Sequence, residues 1–118
     1  MTWSIETEVQ PDYVTIRILG QAAARVSEEI VAAVFREIAA HNCLRLLIDV
    51  RGVEGRLGVL ETFNLVSSYP SIQGMRAAIV DRPENSDWSD FYETVSVNRG
   101  YCNRVFVDID KAIAWLTG

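Results

Sequence analysis

At 118 residues the chain is one domain's worth, and its 49% apolar and 23% charged residues are ordinary for a folded globule and exclude disorder. A net charge of −5, from 16 acids against 11 bases, weighs against a nucleic-acid binder, which carries a basic surplus. No stretch approaches the ~20 apolar residues that span a bilayer. Met1 to Glu8 carries two acids and no apolar run, so no signal peptide is expected. Cys43 and Cys102 are too few for a disulfide framework, and a cytoplasmic location is the expectation.

Residues 3–9 alternate, with Trp3, Ile5 and Val9 on one side and Ser4, Glu6 and Glu8 on the other, which predicts a strand with one wet face. Gln10-Pro11-Asp12 is turn chemistry. A second strand follows at 13–19, with Val14, Ile16 and Ile18 on one face and Gly20 at its end; the short connection makes an antiparallel hairpin. Ser27 is the expected N-cap of a first helix, with Glu28 and Glu29 in its first turn and an apolar stripe of Ile30, Val31, Val34, Phe35 and Ile38 ending near His41-Asn42. Residues 44–50 read as a buried strand and 51–55 as a loop. A second helix is expected at about 57–69, with Val59, Leu60, Phe63 and Val66 inward, before Pro70 stops it.

Residues 75–80 form another buried strand, whose Ala77 and Ala78 allow close helix packing. A third helix at about 86–97 carries Trp88, Phe91, Tyr92 and Val95 at helical spacing, and Asn98-Arg99-Gly100 ends it. The last strand is expected at 104–107. Asp108 then caps a short helix with Ile109, Ala112, Ile113 and Leu116 inward. The order is β-β-α-β-α-β-α-β-α. An α/β fold follows, a mostly parallel five-stranded sheet with an opening antiparallel hairpin and four crossover or terminal helices, in a single domain spanning 1–118.

Three strands run into aspartate, at Asp49, Asp81 and Asp108, which places these acids along the carboxyl edge where open α/β sheets bind ligands. A receiver-type phosphoacceptor site also needs a lysine and a hydroxyl at the ends of the last two strands, where this chain has Asp108 and Asp81. The expectation is that each Asp caps a turn or helix. His41 and Cys43 could pair as base and nucleophile, but both fall at the amino edge, and a histidine in a helix's last turn suits the dipole. If the strand from 75 lies between the strands that Cys43 and Cys102 precede, the two are about 9–10 Å apart and beyond disulfide reach. Segment 81–93 holds five acids and three aromatics; Trp88, Phe91 and Tyr92 could line an apolar pocket or form core beneath a helix. There is no phosphate-binding glycine loop, no metal-spaced Cys/His cluster and no nucleophile elbow. No catalytic residue, cofactor or metal is assigned.

The order strand, Gly20, helix, then Leu46-Leu47-Ile48-Asp49-Val50 with a loop and helix, resembles the STAS domain. Met75 to Asp81, Trp88, and Arg104-Val105-Phe106-Val107-Asp108 followed by Ala112 and Trp115-Leu116 resemble the SpoIIAA-like family. The resemblance covers nearly the whole chain and implies a STAS/SpoIIAA-like fold, shared in class with anti-sigma-factor antagonists and related in shape to lipid-binding domains. Phosphorylatable antagonists carry Ser or Thr at the start of the helix after the Asp49 strand. Here Val50 to Gly58 has no hydroxyl, the first being Thr62, so no phosphorylation site is assigned, and Glu54 stands nearby as a fixed acid.

The function expected on these grounds is a non-catalytic regulatory or protein-interaction module. It would present Asp49, Arg51, Gly52 and Glu54 on one loop, and Asp81 and Arg82 on another, to a protein partner. The alternative is a carrier of an apolar small molecule or lipid, held at Trp88, Phe91 and Tyr92 in a cleft between helices 57–69 and 86–97. A two-fold homodimer is also expected, because Trp3 stands near the chain end, where a monomer offers it little core, and Trp115 falls outside the inward stripe of its helix.

Overall fold

The computed structural model describes residues 3–118. Strands β1 (Trp3–Val9) and β2 (Val14–Gln21) form the hairpin. There follow α1 (Ala24–His41), β3 (Arg45–Glu54), α2 (Val59–Ser67), β4 (Arg76–Val80), α3 (Ser86–Asn98) after a single 3₁₀ turn, β5 (Cys102–Phe106) and α4 (Ile109–Thr117). The sheet order is β1-β2-β3-β4-β5, antiparallel for the first pair and parallel thereafter. Three successive crossovers of the same hand put α1, α2 and α3 on one face. There Val34 and Ile38 of α1, Val66 of α2, and Tyr92 and Val95 of α3 share a core with Ile16, Leu46 and Ile79 of the sheet. Helix α4 lies alone on the other face, where Ala112 and Leu116 pack on Leu47, Ala78 and Val80. Among the described residues no helix is long and apolar enough to cross a membrane.

The β1 alternation is realised in the expected sense: Trp3 and Ile5 turn toward the helical face while Ser4, Glu6 and Glu8 are exposed. Several local expectations are corrected. Helix α1 begins at Ala24, with extended Ala23 as its uncapped start, so Ser27 lies inside the helix and no acid occupies the first turn. Strand β2 does not stop at Gly20 but runs on to Gln21. Residues 51–54 are not loop. They extend β3 and pair with β2, Gly52 opposite Leu19 and Val53 opposite Gly20. A Cβ at position 52 would meet the tip of the Leu19 side chain, which would have to turn aside, so glycine gives the two strands their closest packing there. The last strand spans Cys102–Phe106 rather than 104–107, leaving Val107 exposed.

The largest correction concerns α2. Of the four residues expected inward, only Val66 is buried; Val59 is 69% exposed, Leu60 70% and Phe63 42%. The inward sector is instead Thr62, Val66 and half-buried Leu65. At 100° per residue the helix is rolled by about a quarter of a turn from its apolar stripe. Two hydrogen-bonded anchors account for the roll. Trp88 donates its indole N–H to the buried Thr62 hydroxyl (3.2 Å), and Tyr101 donates to the Tyr69 carbonyl just past the helix (2.8 Å).

Asp108 caps α4 as expected, its Oδ1 accepting from the backbone N–H groups of Asp110 and Lys111. Replacing it with Ala should cost about 1 kcal/mol. Urea unfolding would read this as a lower midpoint with an unchanged slope.

Candidate functional site

The carboxyl edge is organised around arginine. Arg56, in the turn between β3 and α2, grips Asp81 at the end of β4 with two hydrogen bonds, Nη2 to Oδ1 at 2.5 Å and Nε to Oδ2 at 3.1 Å. The same guanidinium donates to the carbonyls of Val50 (3.0 Å), Val53 (2.8 Å) and Gly55. Its carbon stands 5.7 Å from the centre of the Trp88 ring. Asp81, 1% exposed, also accepts from the Arg82 backbone N–H and the Asn85 side chain, so both its oxygens are engaged. A planar guanidinium fork suits this arrangement of carboxylate and carbonyls; a lysine would not reproduce it.

Asp49 belongs to a second network. It sits mid-strand, two residues from Leu47 and on the same face, 4% exposed. Arg51 holds it bidentately (3.0 and 2.8 Å), and Arg17 of β2 approaches to 3.7 Å. Burial alone would raise its pKa, but the hydrogen bonds and charges of Arg51, with the charge of Arg17, outweigh burial and hold the carboxyl below its ordinary 3.8.

The three aspartates therefore do not converge: Asp49 and Asp81 are each consumed by arginine, and Asp108 is a helix cap. Among the described residues no group of three or more His, Cys, Asp or Glu side chains is placed to hold a metal ion. His41, in the last turn of α1, lies 3.9 Å from Glu37. The Cys43 thiol donates to the Arg45 carbonyl, and β4 separates its strand from Cys102; both thiols are free.

Arg51, Gly52 and Glu54 are exposed on the β3 extension, and Arg82 is half-buried beside Asp81. Trp88, Phe91 and Tyr92 are core components rather than a surface patch. Trp88 stacks on Tyr92 with ring centres 5.0 Å apart, and Phe91 packs against the same cluster. Tyr92 is buried, and its hydroxyl meets that of Tyr69 at 3.1 Å. Burial raises the pKa of both phenols, keeping them neutral. Trp3 donates to Glu29, and half-buried Trp115 packs on Phe106 beneath Arg76.

An apolar cavity of ≈160 Å³ lies under α2. Its floor is the sheet, with Ile48, Val50 and Ala77, its main wall is α1, and α2 contributes the single residue Leu65. Trp88 and Tyr92 close one end. The expected cleft between the second and third helices is thus relocated. Those helices are joined by the Trp88–Thr62 bond, and the space lies between them, α1 and the sheet. Helix α2 touches α1 and α3 but, unlike α1 and α3, makes no close backbone approach to any strand.

Arg56 and the exposed face of α2 are the features that sequence reasoning passed over. The only local hint of the first is an arginine set between Gly55 and Gly58. Its partner lies 25 residues away, which no local pattern signals.

No protein-family model matches the chain, and no curated protein matches it. Solved structures do. A crystal structure of an anti-sigma factor antagonist from Mycobacterium paratuberculosis superposes with a TM-score of 0.68, over 99% of this chain and 96% of that one, at 13% identity. A protein of the DUF3478 family with a SpoIIAA-like fold, from Shewanella loihica PV-4, gives a TM-score of 0.59 at 19% identity, over 97% of this chain and 93% of that one. The chain has a SpoIIAA-like fold.

Two outcomes are expected from the arginine networks. Asp81→Ala leaves Arg56 buried without a counter-charge and should cost about 3–5 kcal/mol in chemical unfolding, while the double variant Arg56→Met/Asp81→Leu should lose less than the two single changes summed. Asp49→Asn should lower stability at pH 7. A carboxyl whose folded pKa is depressed stabilises fully above its ordinary value and loses that contribution as pH falls through the folded pKa. The gap between wild type and Asp49→Asn should therefore close below pH 3.8, as thermal melts across pH 2–7 would record.

Proposed function

We propose that this domain is a non-catalytic regulatory module that works by docking a protein partner at its carboxyl edge. The observation that carries the reading is the exposed apolar face of α2, with Val59, Leu60 and Phe63 side by side at helical spacing. A helix rolled to leave such residues in water, while burying Thr62, forgoes core packing that its own sequence offers. Surface of this kind is characteristic of an interaction site. In sequence the face follows the β3 extension that carries exposed Arg51, Gly52 and Glu54, and we include these residues and Arg82 in the proposed docking edge. Asp81 acts as a positioning residue through Arg56, whereas Asp49 lies on the α4 face of the sheet. The guanidinium of Arg99 lies 4.7 Å from the Phe63 ring and adds a cation at the margin.

Structural similarity to an anti-sigma factor antagonist supports a protein as the partner. The absence of a hydroxyl between Val50 and Gly58 favours docking without a phosphorylation switch at that position. Thr62 does not substitute for one, being fully buried and hydrogen-bonded to Trp88. The non-catalytic part of the reading rests on the carboxyl-edge acids, whose charges are committed to arginine or to a helix start.

Affinity capture from the native host tests the proposal. Wild-type protein should retain a specific partner, and Leu60→Asp or Phe63→Asp should reduce its recovery more than tenfold, the former with unchanged melting temperature because the Leu60 side chain is already largely in water. Retention by both variants would sink the reading. Sedimentation at micromolar concentration separates a second copy from a different protein: a homodimer would be broken by the same substitutions, whereas a single 13.2 kDa species leaves the face free for another chain.

A further inference from the structure

We propose that the cavity under α2 is a binding site for a compact, uncharged, single-ring-sized apolar molecule. Three observations carry this. The first is size. A volume of ≈160 Å³ matches the scale of an apolar protein cavity that admits benzene, about 150 Å³, and sets a ring rather than a long acyl chain as the occupant. The second is chemistry. The floor and walls are aliphatic and aromatic carbon, with Ile48, Val50, Ala77 and Leu65 facing Trp88. Of the polar groups in the lining, the Tyr69 and Tyr92 hydroxyls meet each other and Arg56 holds Asp81 and three carbonyls, while the buried Asn103 donates to Tyr92 and leaves its Oδ1 as a single neutral acceptor without a partner. A charged ligand would lose its hydration and find no free counter-charge, so the site selects neutral molecules. The third is architecture. Helices α1 and α3 lie close on the outer strands, while α2, anchored through Thr62 and Tyr69 to its neighbours, bridges the gap above β3 and β4. Half-buried Val31, Val53 and Leu57 mark the side from which a ligand can enter.

This site is independent of the docking face, which lies on the outer surface of the same helix. A molecule there would meet α2 only at Leu65, while Leu60 and Phe63 are exposed.

Titration of the purified chain with indole tests the proposal, read by methyl NMR and thermal melting. At ten times its dissociation constant, indole should raise the melting temperature by about 4–6 °C. It should also shift the methyl resonances of Ile48, Val50 and Leu65. Indole-3-acetate, similar in ring but charged, should bind at least tenfold more weakly. Ala77→Leu fills the floor and should abolish the indole shifts. Should that variant fail to fold, Val31→Phe narrows the open side and should do the same. Phe63→Asp should leave indole binding intact while losing partner capture, which separates this site from the docking face. Methyl shifts confined to the exposed residues of α2, equal binding of the charged analogue, or no shift at millimolar indole would each overturn the proposal.

Discussion

The buried pairing of Arg56 with Asp81 is the constraint on which the functional edge of this domain depends. Five parallel or antiparallel strands fix their own spacing by hydrogen bonding, but nothing in a sheet dictates where the helix after β3 must begin. Arg56 supplies that instruction. By taking one carboxylate and three carbonyls at once, it ties the turn after β3 to the end of β4 and fixes the point at which α2 sets out. Such a pair adds little net stability over an apolar replacement, because two ions must first leave water. Its effect is to define a position. Removing either partner alone is costly, and that asymmetry makes the geometry hard to drift from once formed.

From that start α2 crosses the middle of the sheet at a height set by its neighbours rather than by the strands below. Thr62 and Tyr69 are its points of attachment, both through polar groups of α3 and the segment after it. Two consequences share this one cause. Beneath the helix there is unfilled apolar space; above it there are unburied apolar side chains. A helix seated by its own hydrophobic stripe would have removed both, burying Val59, Leu60 and Phe63 against Ile48 and Val50. The domain thus gives up part of its core at one place, and that place is the edge where folds of this kind meet their ligands.

Much of the architecture is legible in the sequence, and the reasons for success and failure are physical. Strict alternation in β1 reports a strand with one wet face, because the pleat has a period of two and leaves no other reading. Asp108 is legible as a cap because its carboxylate and the free N–H groups it meets lie within three residues. The end of β3 is not legible, since Arg51-Gly52 reads as a break; only the pairing with β2 shows that the strand continues, with Gly52 opposite Leu19. The roll of α2 is the deepest failure. Its periodicity is helical and its stripe is real, but which stripe faces inward is decided by a tryptophan 26 residues further on. Arg56 is concealed for the same reason, since hydrogen-bond partnerships across a fold leave no periodic trace.

The sheet order has a kinetic meaning. Strands β2 to β5 stand side by side in the sequence in which they are synthesised, so each can join the one made just before it, with a single crossover to close. No strand must be threaded between two already paired. The face that α4 covers is different. Leu47, Ala78 and Val80 are assembled when β4 joins β3, yet their cover is made only after β5. During that interval the growing sheet shows water a flat apolar surface, the kind of transient that invites aggregation. The nine residues of α4 are thus as much a guard on the folding route as a component of the finished core.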